Sequence, residues 1–533
     1  MSKGGFSRRD LGTGAAALGA AALAGRASAQ SGPGISAAGQ PAPGSRSEFY
    51  TSFNDQLARV RADLQPDIRR FYEAQDWRPV WTSEQRRALG EIANLAPRHG
   101  LSPQDHFDFV GLASDPSRAE MRTTEAVFAY ARVLSEGRVR PESVESLWEM
   151  QRNRADIATG LGTALAANRL VDWMESLAPT DIGYTNLSAG YVRYRQLAER
   201  GGWPAFRAGA RIDVGGTDSR IPALRARLLA EGDITREQDA VLAGTGTLYA
   251  PSLEAGVRSF QTRHGLLADG IIGQATQNAL TASAEDRARQ IALNLERRRW
   301  LRRELSPERI EVNTAAAIMV YWRDNRPVHS NRVVVGTPRN QTPSLEKPFA
   351  SVVANPPWYV PASIARNEIL PRGPAYLASQ NMYIAPGGNV VQRAGPNAAL
   401  GLVKFELRDS HAIFLHDTPS KAAFNNAYRH RSHGCVRVQD AVEFARLLLS
   451  PDPAQLGTFD SAIDSRRTQR VETGREISVR LLYWTAFVDG QGRVAFREDV
   501  YSRDQRLAEA LGINLSLPRV IDDGRADPRD VGP

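Results

Sequence analysis

The sequence predicts a multidomain α+β protein, helical from Glu48 to Glu304 and mainly β from Arg309 onward. Three observations carry that prediction. At 533 residues the chain is too long for one core, so two to four domains are expected. Apolar residues recur at three- and four-residue spacing through the first part, then give way to short β-branched and aromatic runs. The third observation is chemical: Cys435, the only cysteine, lies in the β part, in the stretch Ile413–Val438 with His416, His430 and His433. A lone thiol after Ser-His-Gly, with a histidine ending an apolar run upstream, is the pattern a cysteine nucleophile and its base would leave.

The hydrophobic fraction of 42% and charged fraction of 24% are those of soluble globular chains. Net charge is +8, and +5 once residues 1–29, with four basic residues and one acidic, are set aside. This modest excess suits a polyanionic surface. No dense Lys/Arg block interleaved with aromatics is present, which argues against a nucleic-acid partner. Residues 1–29 read as an export signal: Ser7-Arg8-Arg9-Asp10-Leu11 resembles a twin-arginine motif, an Ala/Gly/Leu run follows, and Ala27-Ser28-Ala29 fits a cleavage site. No other stretch is long and apolar enough to span a membrane, so an exported protein without a stable span in its mature form is expected. Exported proteins commonly pair their cysteines. A single one is either inert in a core or reactive.

Gln30 to Ser47, rich in Gly, Pro, Ala and Ser, reads as a flexible linker. A helical region is expected over 48–210. Phe53, Leu57, Val60 and Leu64 share helical spacing up to Pro66, read as a stop; Val127, Tyr130, Ala131 and Leu134 repeat the pattern before Gly137, and Leu187, Tyr191, Tyr194 and Ala198 before Gly201. These stripes are core rather than ligand platforms, giving a helical scaffold without a catalytic signature. A smaller unit spans 211–283, with a helix through Ile221, Leu224, Leu228 and Leu229 closed by Gly232, a second carrying Val257 and Phe260, a turn at Asp269-Gly270, and a third from Gln274. Phe260, Gln261, His264, Gly265, Leu266, Asp269, Gly270, Gly273 and Thr276 match the FQ…HGL…DGxxGxxT pattern, so the unit resembles the three-helix peptidoglycan-binding module of wall enzymes. His264 is either a ligand contact or part of the loop's structure. Residues 284–308 read as a linker helix, with the run Arg297–Arg299 and Arg302-Arg303 as a solvated face.

From 309 to 517 strands are expected at Ala317–Trp322, Arg332–Val335, Ser351–Asn355, Leu402–Leu407, Ala412–His416 and Ile477–Phe487, with helix over Ala362–Ser379, as a cover, and over Asp440–Leu449. The tail from Pro518 reads as loose. Strand alternation places His411 on the opposite face from Phe414 and His416. That weakens a zinc site built from these histidines, and His430, His433 and Cys435 lack the further ligands of a closed one. No metal or cofactor is expected. The thiolate is the attacking form of cysteine, and a nearby imidazole can take its proton and return it to a departing amine. Gly434 lets the backbone approach a bound carbonyl, where amides would hold the oxyanion. A papain-like peptidase is disfavoured, since no Cys-Gly-Ser-Cys-Trp context occurs.

His416, a spacer of fifteen residues and Ser432-His433-Gly434-Cys435 resemble the active-site motif of the L,D-transpeptidases with a YkuD-type catalytic domain. Val436-Arg437-Val438 continues the pattern, with Arg437 where many members have Asn. The helical scaffold, the binding module, Asn355–Pro361 and LHDTPSK together resemble the large YcbB-like branch, in which Phe414 is often Tyr. The resemblance implies a mainly-β catalytic domain with a capping insertion at about 361–397. Cys435 would attack the diaminopimelate carbonyl of a tetrapeptide stem, with His416 as base, and release D-Ala. The amine of a second stem would then resolve the thioester. Ser432, His433 and Gly434 would shape the oxyanion loop, while Trp358, Arg437, Phe414 and Asp417 would contact the stem. Also implied are stem peptides, glycan strands and wall-synthesis proteins as partners, a periplasmic location, a part in wall biogenesis and cell shape, and acylation by carbapenems. Resolution by water, giving an L,D-carboxypeptidase or endopeptidase, and a non-catalytic wall-binding scaffold stay open as alternatives.

Overall fold

The computed structural model describes residues 46–107, 115–408 and 413–517. The expected export signal, nearly all of the expected linker, His411 and the tail from Pro518 lie outside the described residues. The helical part comprises Arg46–Leu57, Gln65–Ala74, Ser83–Leu95, Pro116–Glu136, Ile157–Ala166, Leu170–Ser176 and Ile182–Glu199, with shorter turns between them. Phe53, Leu57, Val60, Leu64, Ile68, Phe71, Val127, Leu134, Leu187 and Tyr194 share one core. Pro66 does not stop a helix. It sits in the first turn of Gln65–Ala74, where the missing N–H has no helical partner to lose. Val60 and Leu64 fall in the turn before it, buried although not helical. Pro116–Glu136 ends at Gly137, as the spacing requires.

The next unit packs Ile221–Glu231, Pro251–Arg263 and Gln274–Thr281 around Leu224, Leu228, Val257, Phe260 and Leu280. A short helix, Arg236–Leu242, adds to the three expected ones; Thr235 and Gln238 form its capping box, a T-x-x-Q signal legible in the sequence. His264 is structural. Its Nδ1 bonds the Phe260 carbonyl at 2.9 Å and its ring stacks on Phe260 and Phe496.

The helix Ala284–Trp300 departs most from expectation. All its residues except Glu285 and Arg289 are buried. Ala288, Ile291 and Leu295 enter the helical core, while Asn294 bonds Thr485 of the β part on both its amide nitrogen and its amide oxygen. The arginine run is therefore not a solvated face. Arg297 pairs with Glu145 and Asp504, Arg299 with Glu296, and Arg298 with Asp181. Burial opposes the charge on Arg297, and Asp504 and Glu145 more than offset it. Most of these partners come from distant parts of the chain, so helical periodicity could not reveal that the arginines face inward.

The β part is built from β1 (Arg309–Asn313), β2 (Ile318–Arg323), β3 (Arg326–Gly336), β4 (Ser344–Ala354), β5 (Val403–Leu407), β6 (Leu415–His416), β7 (His430–Ser432), β8 (Val436–Val438) and β9 (Ser478–Leu482). Neighbours run β4-β9-β1-β2-β3-β8-β6-β5, and β5 pairs back onto β4, so the sheet closes on itself; β7 joins β3. Closure removes free edges. Helix Ala441–Leu449 covers the sheet through Phe444 against Tyr321 and Phe405. A further helix, Pro453–Ser465, lies where no element was expected. Between β4 and β5 the chain inserts a small unit with its own apolar cluster of Trp358, Val360, Ile364, Ile369, Leu377, Val390 and Leu400. It occupies the stretch expected as a cap.

Candidate active site

The site is set by the pairing of two short parallel strands. Leu415 lies opposite Val436 and His416 opposite Arg437. Leu415 and Val436 are in the sheet's apolar core. Alternation then turns Phe414, His416, Cys435 and Arg437 to the other face, with the Val436 amide bonded to the Phe414 carbonyl at 3.1 Å. The nucleophile and base candidates thus lie on one side of the sheet on neighbouring strands, His416 opposite Arg437, two residues beyond Cys435. The expected strand Ala412–His416 is shorter among the described residues, starting at Leu415.

His416 is fully buried, and its Nδ1 lies 2.5 Å from the Asp417 carbonyl. A carbonyl only accepts, so Nδ1 carries the hydrogen and Nε2 is the basic nitrogen of the neutral ring. Cys435 is 5% exposed. Burial pushes its pKa up from 9.0 to about 11, against smaller opposing effects of the Phe414 backbone, Lys404 and Arg437. The resting group is therefore a thiol that needs a base.

The loop before Cys435 is braced from two sides. Ser432 Oγ donates to the Cys435 carbonyl at 2.6 Å and accepts from the Gly434 amide at 3.1 Å, closing a tight turn. Gly434 has φ +117, a region side chains avoid, while a Cβ there would meet nothing closer than 3.6 Å. Its glycine is demanded by conformation, not space. From the other side, Thr342 Oγ1 donates to the Gly434 carbonyl and accepts from the Gly336 amide, both at 2.9 Å. Tyr501 donates to the Gly336 carbonyl at 2.7 Å, and Arg503 Nη2 reaches the Thr342 carbonyl at 3.1 Å. Gly336 is needed for space: a Cβ would lie 2.7 Å from Thr342 N. Sequence reasoning missed Thr342, Gly336, Tyr501 and Arg503. The first two come from far upstream, Thr342 lying 92 residues before Gly434, and the other two from near the end of the chain, so together they form no local motif.

The remaining sequence-picked residues are placed as follows. Phe414 packs on the cap cluster and meets the His416 ring edge at 5.6 Å between centroids, with Lys404 Nζ 4.5 Å from its own ring centre. Arg437 is buried on the same face as Cys435. Asp417 is turned to the backbone: its Oδ2 accepts from the Leu402 amide at 2.9 Å and Oδ1 pairs with Lys421. Trp358 lies inside the cap, 1% exposed. His433 points from the loop before Cys435 to the cap, its Nε2 2.9 Å from Glu368 Oε1. His430 is bonded to the Thr314 carbonyl at 2.9 Å. Among the described residues no three His, Cys, Asp or Glu side chains gather as a metal would require.

Residues 307–460 match the L,D-transpeptidase catalytic domain of YkuD type. The chain carries an L,D-transpeptidase domain. Residues 66–190 match a scaffold domain, and 217–280 a model described as "Putative peptidoglycan binding domain". A Haemophilus influenzae protein named "Putative L,D-transpeptidase" is 30% identical over 220 residues, 37% of this chain and 45% of that relative. The chain thus spans less than half the length of the curated relative it matches. Among solved structures, an L,D-transpeptidase from Xylanimonas cellulosilytica is 18% identical over 52% of this chain and 98% of that one, with a TM-score of 0.18. An L,D-transpeptidase from Stackebrandtia nassauensis is 13% identical over 52% of this chain and 96% of that one, with a TM-score of 0.20. Along this chain the transpeptidase-domain match follows those to the scaffold domain and to the peptidoglycan-binding model.

Proposed function

We propose that this chain is a peptidoglycan L,D-transpeptidase that joins two diaminopimelate residues through a thioester on Cys435. The observation that carries the reading is the placement of Cys435 and His416 on one face of paired strands, with the histidine tautomer set by the Asp417 carbonyl. As His416 Nε2 takes the thiol proton, Sγ attacks the diaminopimelate carbonyl carbon of a tetrapeptide stem. The tetrahedral intermediate collapses, the C–N bond to D-Ala breaks, and the departing amine receives that proton. The diaminopimelate amine of a second stem then attacks the thioester. His416 takes its proton, the new amide forms, and Cys435 leaves as thiol.

Ser432, His433 and Gly434 hold the loop whose backbone meets the developing oxyanion. Trp358, Phe414, Asp417 and Arg437 are proposed to form the stem pocket. The domain limits 48–210, 211–283 and 309–517 follow the same reading, with 211–283 docking the glycan. Export by the twin-arginine signal and action in the periplasm complete it, and carbapenems are expected to acylate Cys435.

The test is mass spectrometry of disaccharide-tetrapeptides incubated with the protein and with Cys435→Ala. A cross-linked dimer lacking one D-Ala, absent with the variant, is the expected result. Tripeptide alone would replace the transpeptidase by a carboxypeptidase, and identical outcomes for both proteins would overturn catalysis by Cys435.

A further inference from the structure

The thioester in the proposed cycle must survive until an amine arrives, although water is far more abundant. What covers the site therefore decides the product. The cap is anchored by its apolar cluster, against which Phe414 packs, and Phe414 in turn meets His416. Its outer part is an irregular helix: Ala362–Ile364 is α-helical, Ala365–Ile369 widens into a π turn, and Leu370–Arg372 tightens again. Such π turns are frequent at functional positions. This one carries Glu368, which reaches His433 Nε2 at 2.9 Å. A carboxylate accepts, so Nε2 carries the hydrogen. His433 stands between Ser432, whose hydroxyl closes the turn, and Gly434, at φ +117. The cap is thus bonded to the loop only two residues from the nucleophile.

We propose that Glu368 is a positioning residue that latches the cap to the nucleophile loop through His433 and so sets how the acyl-enzyme divides between amine and water. This rests on the transpeptidase reading above. With the latch made, the second stem's amine nitrogen attacks the thioester carbon and the amide forms with release of the Cys435 thiol. With the latch broken, water oxygen attacks the same carbon, yielding a free carboxylate, a proton and the same thiol. Glu368 touches neither reacting atom and acts through His433.

The experiment compares the full chain with Glu368→Ala and Glu368→Gln on disaccharide-tetrapeptides and reads the ratio of cross-linked dimer to tripeptide. Loss of one partly exposed hydrogen bond should lower that ratio roughly three- to tenfold in Glu368→Ala. Glu368→Gln, whose amide oxygen still accepts from Nε2–H, should recover most of it. An unchanged ratio in Glu368→Ala refutes the latch. Neither product from the unaltered chain would instead sink the transpeptidase reading. The latch is then judged by hydrogen exchange, expected to quicken several-fold over 362–379 in Glu368→Ala with β3 and β8 unaffected; unaltered exchange there refutes it as well.

Discussion

Alkylation of Cys435 by iodoacetamide across pH separates two ways of activating the thiol. Burial raises its pKa from 9.0 to about 11. At pH 7 about one molecule in ten thousand then holds a thiolate, against about one in a hundred for a thiol at the ordinary value, a difference of about 3 kcal/mol in ionisation. The rate follows the thiolate, so its logarithm should climb with unit slope from pH 7 to beyond pH 10, without a plateau near neutrality. His416→Ala should leave that profile in place while abolishing turnover, because the imidazole acts as a base during attack and not as a standing counter-ion. A plateau reached by pH 7 to 8, lost in His416→Ala, would mean a preformed thiolate–imidazolium pair and would refute proton transfer in the attack step. Stability carries the same sign. The folded state holds the thiol proton up to about pH 11 and the unfolded chain only up to about 9, so this contribution is present below pH 9 and lost as pH rises between the two.

Three further perturbations test the framework around the site. Thr342→Val strips the Gly434 carbonyl and Gly336 amide of their shared partner, and should cost about 1–3 kcal/mol in urea unfolding and slow acylation of Cys435. Gly434→Ala meets no clash but must hold φ near +117, so about 1–3 kcal/mol of strain should lower both kcat and the free energy of urea unfolding; an unimpaired variant would show that the loop relaxes freely. His264 is held neutral, its pKa well below 6.5, by burial and by Arg263 and Arg287. The unfolded chain takes up that proton below pH 6.5, so stability falls with pH there, by about 2 kcal/mol more between pH 7 and 5 than in His264→Gln by denaturant titration; parallel losses would contradict a buried neutral imidazole.

Much of this protein was legible before any coordinates. The helical front, the unit at 211–283 with its first helix closed at Gly232, and the strands around Ala317–Trp322 and Ser351–Asn355 all follow from periodicity and turn residues. These are local properties, because a helix face or a nucleophile's neighbours are written within a few residues. The reading failed where locality ends. Pro66 looks like a terminator until the helix it opens is seen. Arg297 and Arg298 look solvated until Glu145, Asp504 and Asp181, between 117 and 207 residues away, come to neutralise them. Tertiary structure also recruited Thr342 to the loop before Cys435, set Tyr501 on Gly336 behind it and brought Glu368 to His433. Sequence alone singled out the residues on which the proposed chemistry rests, because reactive groups are few and their motif is compact. Which groups support that chemistry was decided only by folding, because a hydrogen bond or buried ion pair depends on distance in space and not on separation along the chain.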